Sequence, residues 1–183
     1  MKHLVEPIRN KEEVKAVENY LKRHKEGKRN RLIYAIGINT GLRVSDILGL
    51  NISDVLDKTH IDIVEKKTGK KKKFPLNSKL IFLVKDYLQD FYETGPLFLG
   101  KQHKRLDRSQ VYRFINRACR DVGVEANVGT HTMRKTFGYH HYKQYKDVVI
   151  LQKIFNHSSQ SITLRYIGIE QDDIDMSYQN FEL

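Results

Sequence analysis

Gly129-Thr130-His131-Thr132-Met133-Arg134, read with Asn156-His157-Ser158-Ser159 and with Tyr166 nine residues past that histidine, is the stretch from which the rest of the chain can be placed. His131 and Arg134 are three apart, so on a helix they share a face and can reach one anion together. An arginine forks onto two oxygens of a phosphate, an imidazole donates to or takes a proton from a third, and a tyrosine hydroxyl is a nucleophile for the phosphorus. Phosphoryl transfer with Tyr166 as the attacking group is one reading. A partly exposed helix carrying two polar residues is the other, and His-x-x-Arg alone does not separate them.

The 183 residues suffice for one domain with a full core, and no Gly/Ser-rich or Pro-rich linker and no internal repeat divides them, so a single unit over 1–183 is expected. Thirty-three Lys and Arg against twenty-two Asp and Glu give a formal charge of +11, while 39% of the residues are hydrophobic. The chain is therefore globular yet strongly cationic, and a polyanion, most simply nucleic acid, is the expected partner. A basic protein without such a partner has the same totals. No apolar run approaches the ~20 residues that cross a bilayer, and no signal-peptide segment follows Met1, so a cytoplasmic protein without membrane contact is expected. Cys119 is the sole cysteine, which excludes an internal disulfide and a cysteine-based metal site; its place on an apolar helix stripe predicts packing. The sequence has no Walker-type loop, HExxH or clustered Asp/Glu, and the adjacent His140 and His141 point apart on a helix. No metal and no cofactor is expected.

Asn10 with Glu13 has capping-box spacing for a first helix with Val14, Val17 and Leu21 buried and Gly27 as its stop. Leu32 to Ile38 is apolar nearly all round, as in a central helix, and Gly41 of Thr40-Gly41-Leu42 can stop it in the left-handed conformation. Arg43 opens a short helix through Asp46 to Leu50. Thr59 to Glu65 alternates, with Ile61 and Ile63 on one face, and a turn at Lys67-Thr68-Gly69-Lys70 returns it through Lys73, Phe74 and Pro75. Leu80, Leu83, Val84, Tyr87, Leu88 and Phe91 recur at helical spacing up to Gly95-Pro96, and an exposed basic connection, Lys101 to Arg105, follows. Asp107 and Gln110 cap a helix that buries Val111, Ile115, Ala118 and Val122 and turns Arg113, Arg117 and Arg120 the other way. That arginine stripe is either a DNA-facing surface or a solvated charged face. Further helices are expected over 132–145, 147–155, 159–167 and 172–181. The fold class is mainly α (α+β), with a small antiparallel β-sheet.

Taken together these segments resemble the catalytic domain of the tyrosine recombinases, or phage-type integrases. Thr40-Gly41-Leu42-Arg43-Val44-Ser45-Asp46-Ile47-Leu48-Gly49-Leu50 is similar to the first family box, His131-Thr132-Met133-Arg134 to the second, and Asn156-His157-Ser158-Ser159 followed by Ile162-Thr163-Leu164-Arg165-Tyr166 to the third. Three boxes in the family order across about 125 residues are far more specific than any one of them. Lys67 lies eight residues before Pro75, as the family lysine lies before its own Pro-Leu, with Lys66 and Lys70 to Lys73 as close neighbours.

The resemblance implies an integrase-like domain of about seven or eight helices that cleaves and rejoins duplex DNA through a 3′-phosphotyrosyl intermediate, without metal or ATP. It implies Tyr166 as nucleophile, Arg43 and Arg134 as the clamp on the nonbridging oxygens, and His131 as the group that accepts or relays the tyrosine proton. His157 would donate to a phosphate oxygen, Lys67 would protonate the departing 5′ oxygen, and Asp46 would support a neighbouring catalytic group. Ordinary structural roles remain the other reading of each histidine, an Asp46 ion pair that of Arg43, and a solvated turn that of Lys67. Lys70, Lys71, Lys72 and Lys73 are expected to contact the DNA backbone. Most members carry a further helical domain ahead of the catalytic one, which the resemblance implies is absent here. It also implies a homo-oligomer on DNA, a tetramer in the synapse and a monomer or weak dimer when free. The helical tail 170–183, with Ile174, Tyr178 and Phe181, would pass between protomers or pack on its own domain. The box-three Asn156 replaces the usual glycine, which a left-handed helix end tolerates. A type IB-like relaxing enzyme and a non-catalytic DNA-binding regulator are the alternatives.

Overall fold

A computed structural model describes residues 4–65, 69–89, 94–169, 176 and 178–182. In chain order the helices are α1 (Lys11–Lys22), α2 (Gly27–Thr40), α3 (Val44–Ile47), α4 (Ser78–Leu88), α5 (Arg108–Asp121), α6 (Thr132–Tyr145), α7 (Val148–Phe155) and α8 (Gln160–Ile167). Between α3 and α4 runs the antiparallel pair β1 (His60–Val64) and β2 (Lys71–Pro75). Short 3-10 turns occupy Ile52–Asp54 and Lys101–His103. The described residues thus contain eight α-helices and one two-stranded sheet, the mainly helical architecture expected.

Helix α2 is the axis of the core. Leu32, Ile33, Tyr34, Ala35 and Ile36 are all fully buried, which is why its sequence lacks a polar face. It packs against α1, α4 and α6. Cys119 lies buried on α5, and burial pushes its thiol up to about 12, so it is a packing group. A second, smaller core of Leu151, Phe155, Ile167 and Ile169 gathers α7, α8 and, through Phe137, Tyr139 and Tyr142, the outer face of α6. Helix α6, whose first turn carries the second box, therefore packs against the helices that flank the third.

Local capping chemistry sets most boundaries. Asn10 accepts from the Glu12 amide, Asn77 from Leu80, Asp147 from Ile150 and Ser159 from Ile162, and Asp107 with Gln110 forms a full capping box. Two expected ends move. Gly27 begins α2 instead of merely closing α1: a Cβ there would lie 2.3 Å from the Lys22 carbonyl oxygen, so only glycine lets the two helices turn so tightly. The helix expected to run up to Gly95-Pro96 ends at Leu88, and Pro96 instead forms a β-bridge with Asn51.

The hairpin pairs His60 with Pro75, Ile61 with Phe74, Asp62 with Lys73, Ile63 with Lys72 and Val64 with Lys71. Side chains alternate faces along a strand, so Ile61, Ile63, Phe74 and Lys72 share the inner face while Lys71 and Lys73 are exposed. The expected turn at 67–70 falls partly outside the described residues, as does Lys67; so does most of the tail, including Ile174.

Gly41 ends α2 with φ of 65°, and a Cβ there would sit 2.5 Å from the Phe137 ring. Gly41→Ala combines left-handed strain with overpacking and is expected to cost about 2–4 kcal/mol in urea unfolding. Gly123→Ala, at φ of 81° with no described atom within 4 Å, should cost only about 1 kcal/mol. Equal losses at the two positions would contradict the packing role of Gly41.

Candidate active site

Arg134 stands in the first turn of α6 and is 4% exposed. Its Nη1 donates to the Gly41 carbonyl and its Nη2 to the Phe155 carbonyl at 2.9 Å, while its guanidinium lies 4.4 Å from the Phe155 ring centroid. The two acceptors are buried carbonyls at the C-terminal ends of α2 and α7, where helical carbonyls lack intrahelical partners and favour a cation. Burial lowers the Arg134 pKa, yet an arginine remains charged.

Arg43 is the N-cap of α3, on the extended step that follows Gly41. Its Nη1 ion-pairs with Glu65 at 3.0 Å and stands 3.9 Å from Asp46, so the nearer carboxylate is Glu65, 22 residues away in sequence. A cavity of about 380 Å³ is lined by Arg43, Ser45, Arg108, Thr130, His131 and Arg134. Three guanidiniums, those of Arg43, Arg108 and Arg134, and one imidazole therefore border a single space.

Tyr166 sits in the last turn of α8 against this group. Its hydroxyl is 3.0 Å from His131 Nδ1, and its ring lies 5.1 Å from the His157 ring and 5.5 Å from that of Phe155. Burial raises the Tyr166 pKa, opposed by the positive charges of Arg134 and Arg43. The resting side chain is thus a neutral phenol within hydrogen-bond reach of an imidazole. His131 occupies the N-cap position of α6 and so precedes the helix that carries Arg134.

His157 follows Asn156, which ends α7 at φ of 55°, the left-handed cap expected of an asparagine there. Its Nδ1 is 3.0 Å from the Thr163 hydroxyl, which itself donates to the Ser159 carbonyl at 3.2 Å. With that hydroxyl hydrogen already used, Nδ1–H is the donor and Nε2 keeps its lone pair. Burial first, then the charges of Arg134, Arg43 and Lys72, hold the imidazole down at about 4, so it is neutral at pH 7. An anion entering the site would offset those charges and favour the protonated, doubly donating form.

The hairpin reaches the site through lysines of unequal status. Lys71 and Lys73 are exposed, and Lys70 Nζ donates to Asn156 Oδ1 at 2.8 Å. Lys72 lies inside the site: its Nζ pairs with Glu65 at 3.0 Å and donates to the Ile154 carbonyl at 2.5 Å. Burial lowers its pKa, with Arg134 and Arg43 adding to the effect and Glu65 opposing it. Lys67 lies outside the described residues. On α5, Arg113, Arg117 and Arg120 are exposed as a stripe, and Asp121 pairs weakly with Arg117 at 3.5 Å and Arg120 at 3.3 Å.

Sequence reasoning passed over Glu65, gave Lys72 to the DNA backbone, whereas it is turned inward onto Glu65 and the Ile154 carbonyl, and left Arg105 on an exposed connection. Glu65 and Lys72 are on the inner face by strand period, Glu65 two beyond Ile63 and Lys72 two before Phe74, a signal present in the alternation but masked by the lysine run. Arg105, expected on an exposed connection, donates from Nη1 to the Leu48, Gly49 and Leu50 carbonyls at 3.1, 3.1 and 3.0 Å and from Nη2 to Asn51 Oδ1 at 2.5 Å. It fastens the end of α3, behind Arg43; no local pattern announces that.

A bundle that lines one cavity with Arg43, His131 and Arg134, and sets Tyr166 against His131 and His157 against Tyr166, has the arrangement of an integrase-type catalytic domain. The chain belongs to the phage integrase family, whose model matches residues 9–172, and it carries the catalytic domain of a site-specific tyrosine recombinase. It is 43% identical over 180 residues to the probable integrase/recombinase YoeC of Bacillus subtilis (strain 168), covering 98% of both chains. It is 30% identical over 158 residues to the tyrosine recombinase XerC of Pelobacter propionicus, covering 85% of this chain and 50% of that one. The fold overlays the XerA recombinase with a TM-score of 0.78 at 22% identity, over all of this chain and 66% of that one. It overlays the catalytic domain of bacteriophage HP1 integrase at 0.65 and 20% identity, over 96% and 95%.

The depressed His157 pKa has a stability consequence. Below about 6.5 the unfolded chain gains a proton that the folded chain refuses, so the contribution of neutral His157, complete above that pH, is lost progressively toward pH 4. Unfolding free energy measured in urea should fall more steeply between pH 6.5 and 4.5 for the wild type than for His157→Gln. Parallel slopes would show that the imidazole is not held neutral.

Proposed function

We propose that this domain cleaves and rejoins duplex DNA, with Tyr166 attacking the scissile phosphate to give a 3′-phosphotyrosyl link and a free 5′ hydroxyl. The observation that carries the reading is the 3.0 Å contact between the Tyr166 hydroxyl and His131 Nδ1 beside a cavity bordered by Arg43, Arg108 and Arg134. As the Oη–P bond forms, the phenol proton passes to His131, which supplies the base that a phenol whose pKa burial raises requires at neutral pH. Arg43 and Arg134 stabilise the charge that grows on the nonbridging oxygens, and His157, once protonated, donates to one of them. The P–O5′ bond breaks as Lys67 gives its proton to the leaving oxygen. A 5′ hydroxyl from a second strand then reverses the attack, so the bond energy is kept and no external energy source is needed.

DNA affinity on this reading comes from Lys70, Lys71 and Lys73 on the hairpin and from Arg113, Arg117 and Arg120 on α5, whose phosphate contacts make binding salt-dependent. Two of the solved relatives, forms of the XerH recombinase, are described as bound to difH substrate before and after cleavage. An oligomer on DNA, tetrameric in the synapse, completes the proposal. Tyr178 and Phe181 are 81% and 68% exposed, which suits a tail that docks on a neighbouring protomer.

The test is incubation with a nicked suicide duplex followed by a denaturing gel. A covalent protein–DNA adduct is expected, abolished in Tyr166→Phe and undiminished in excess EDTA. No adduct despite salt-sensitive binding would favour a DNA-binding regulator. Relaxation of supercoils without strand exchange would favour a type IB-like enzyme, and a strict Mg²⁺ requirement would overturn the metal-free scheme.

A further inference from the structure

Glu65 is the carboxylate that the mechanism above does not use. It is 1% exposed, and one oxygen, Oε1, lies 3.0 Å from both Arg43 Nη1 and Lys72 Nζ. A carboxylate taken out of water is tolerated only when cations compensate it, and two of those facing Glu65 come from different segments, α3 and β2. Arg43 belongs to the start of α3. Lys72 belongs to β2, and its ammonium also holds the Ile154 carbonyl in the last turn of α7, three residues before His157. Glu65 Oε1 and Lys72 Nζ thus link the first box, the hairpin and the end of α7 just ahead of the third box.

Charge balance explains what such a group can do. Among the described residues Arg43, Arg134 and Lys72 face Glu65 and Asp46, and Arg108 lines the same cavity, so cations outnumber carboxylates before the histidines are counted. Glu65 meets Arg43 at Nη1, and a forked contact with a phosphate would use Nε and Nη2, which make no hydrogen bond among the described residues. Lys72 offsets most of the carboxylate's repulsion toward an incoming anion. Without Glu65 the site would be more positive, but the guanidinium would lose the contact that fixes its orientation.

We propose that Glu65, acting with Lys72, is a positioning residue for strand cleavage: it aims Arg43 at the scissile phosphate and couples that aim to the seating of the β1–β2 hairpin on α7. The inference rests on the reading under Proposed function. It makes a signature that a merely structural role does not, because binding and cleavage move apart.

Single-turnover adduct formation on the suicide duplex, duplex affinity by fluorescence anisotropy, and thermal unfolding would be measured on the full chain. Glu65→Gln, which keeps the shape and removes the charge, should slow cleavage at least about tenfold while duplex affinity stays equal or tightens. Lys72→Met should also slow cleavage, Lys72→Arg should retain more of it, and Glu65→Gln combined with Lys72→Met should be little worse than the slower single variant. Cleavage by Glu65→Gln within about threefold of wild type would overturn the proposal, as would losses that multiply in the double variant or that track the folded fraction. If Glu65→Gln does not fold, the contrast between Lys72→Met and Lys72→Arg decides the matter. A wild type that forms no adduct would defeat the parent reading as well, whereas an active wild type with an equally active Glu65→Gln would defeat this inference alone.

Discussion

A guanidinium buried to 4% exposure needs fixed acceptors, and Arg134 finds them at the free carbonyl ends of two different helices. That bond pair is the keystone of the molecule. Gly41 closes α2 and Phe155 closes α7, so one side chain of α6 draws together the three segments from which Arg43, Arg134 and His157 project. The Phe155 ring beneath the guanidinium fixes its plane and belongs to the second core, so apolar packing and the charged site are built from the same residue.

The ionic character of the site follows from this construction. Cations crowd together, and their mutual field, added to burial, keeps His157 neutral and works against the burial-driven rise of the Tyr166 pKa. The site is thus poised for an anion. Its two imidazoles differ in setting, His131 exposed at a helix start with Tyr166 as partner, His157 half-buried and tied through Thr163 to the backbone of α8. Different proton-handling roles for two identical side chains arise from placement alone.

The sequence made α2, the α5 capping box and the order of the three boxes legible because each depends on local chemistry: helical period, a cap pair, a glycine at a helix end. Asn156 was legible for the same reason. Glu65 and Lys72 were not, since Glu65 reads as the end of a half-exposed strand and Lys72 as one of four consecutive lysines; only the pairing of Ile63 with Lys72 turns the latter inward. Arg105 was equally hidden, because its four acceptors lie more than fifty residues earlier. The α1–α2 junction was misread at Gly27 because a glycine after a helix is usually a stop, and the close approach of Lys22 that requires it is a tertiary fact. Local rules name the parts of this site, while long-range hydrogen bonds decide which of them touch.

Cys119 has a practical corollary. It is the chain's single thiol, walled into α5 and held protonated far above neutral pH, so maleimides will find almost no thiolate to react with. A cysteine placed on an exposed position such as Lys73 would be the one labelling handle on an otherwise native background, without prior removal of the natural residue. A dye pair, one on that strand and one on a duplex, would then report the approach of the hairpin to DNA in single molecules.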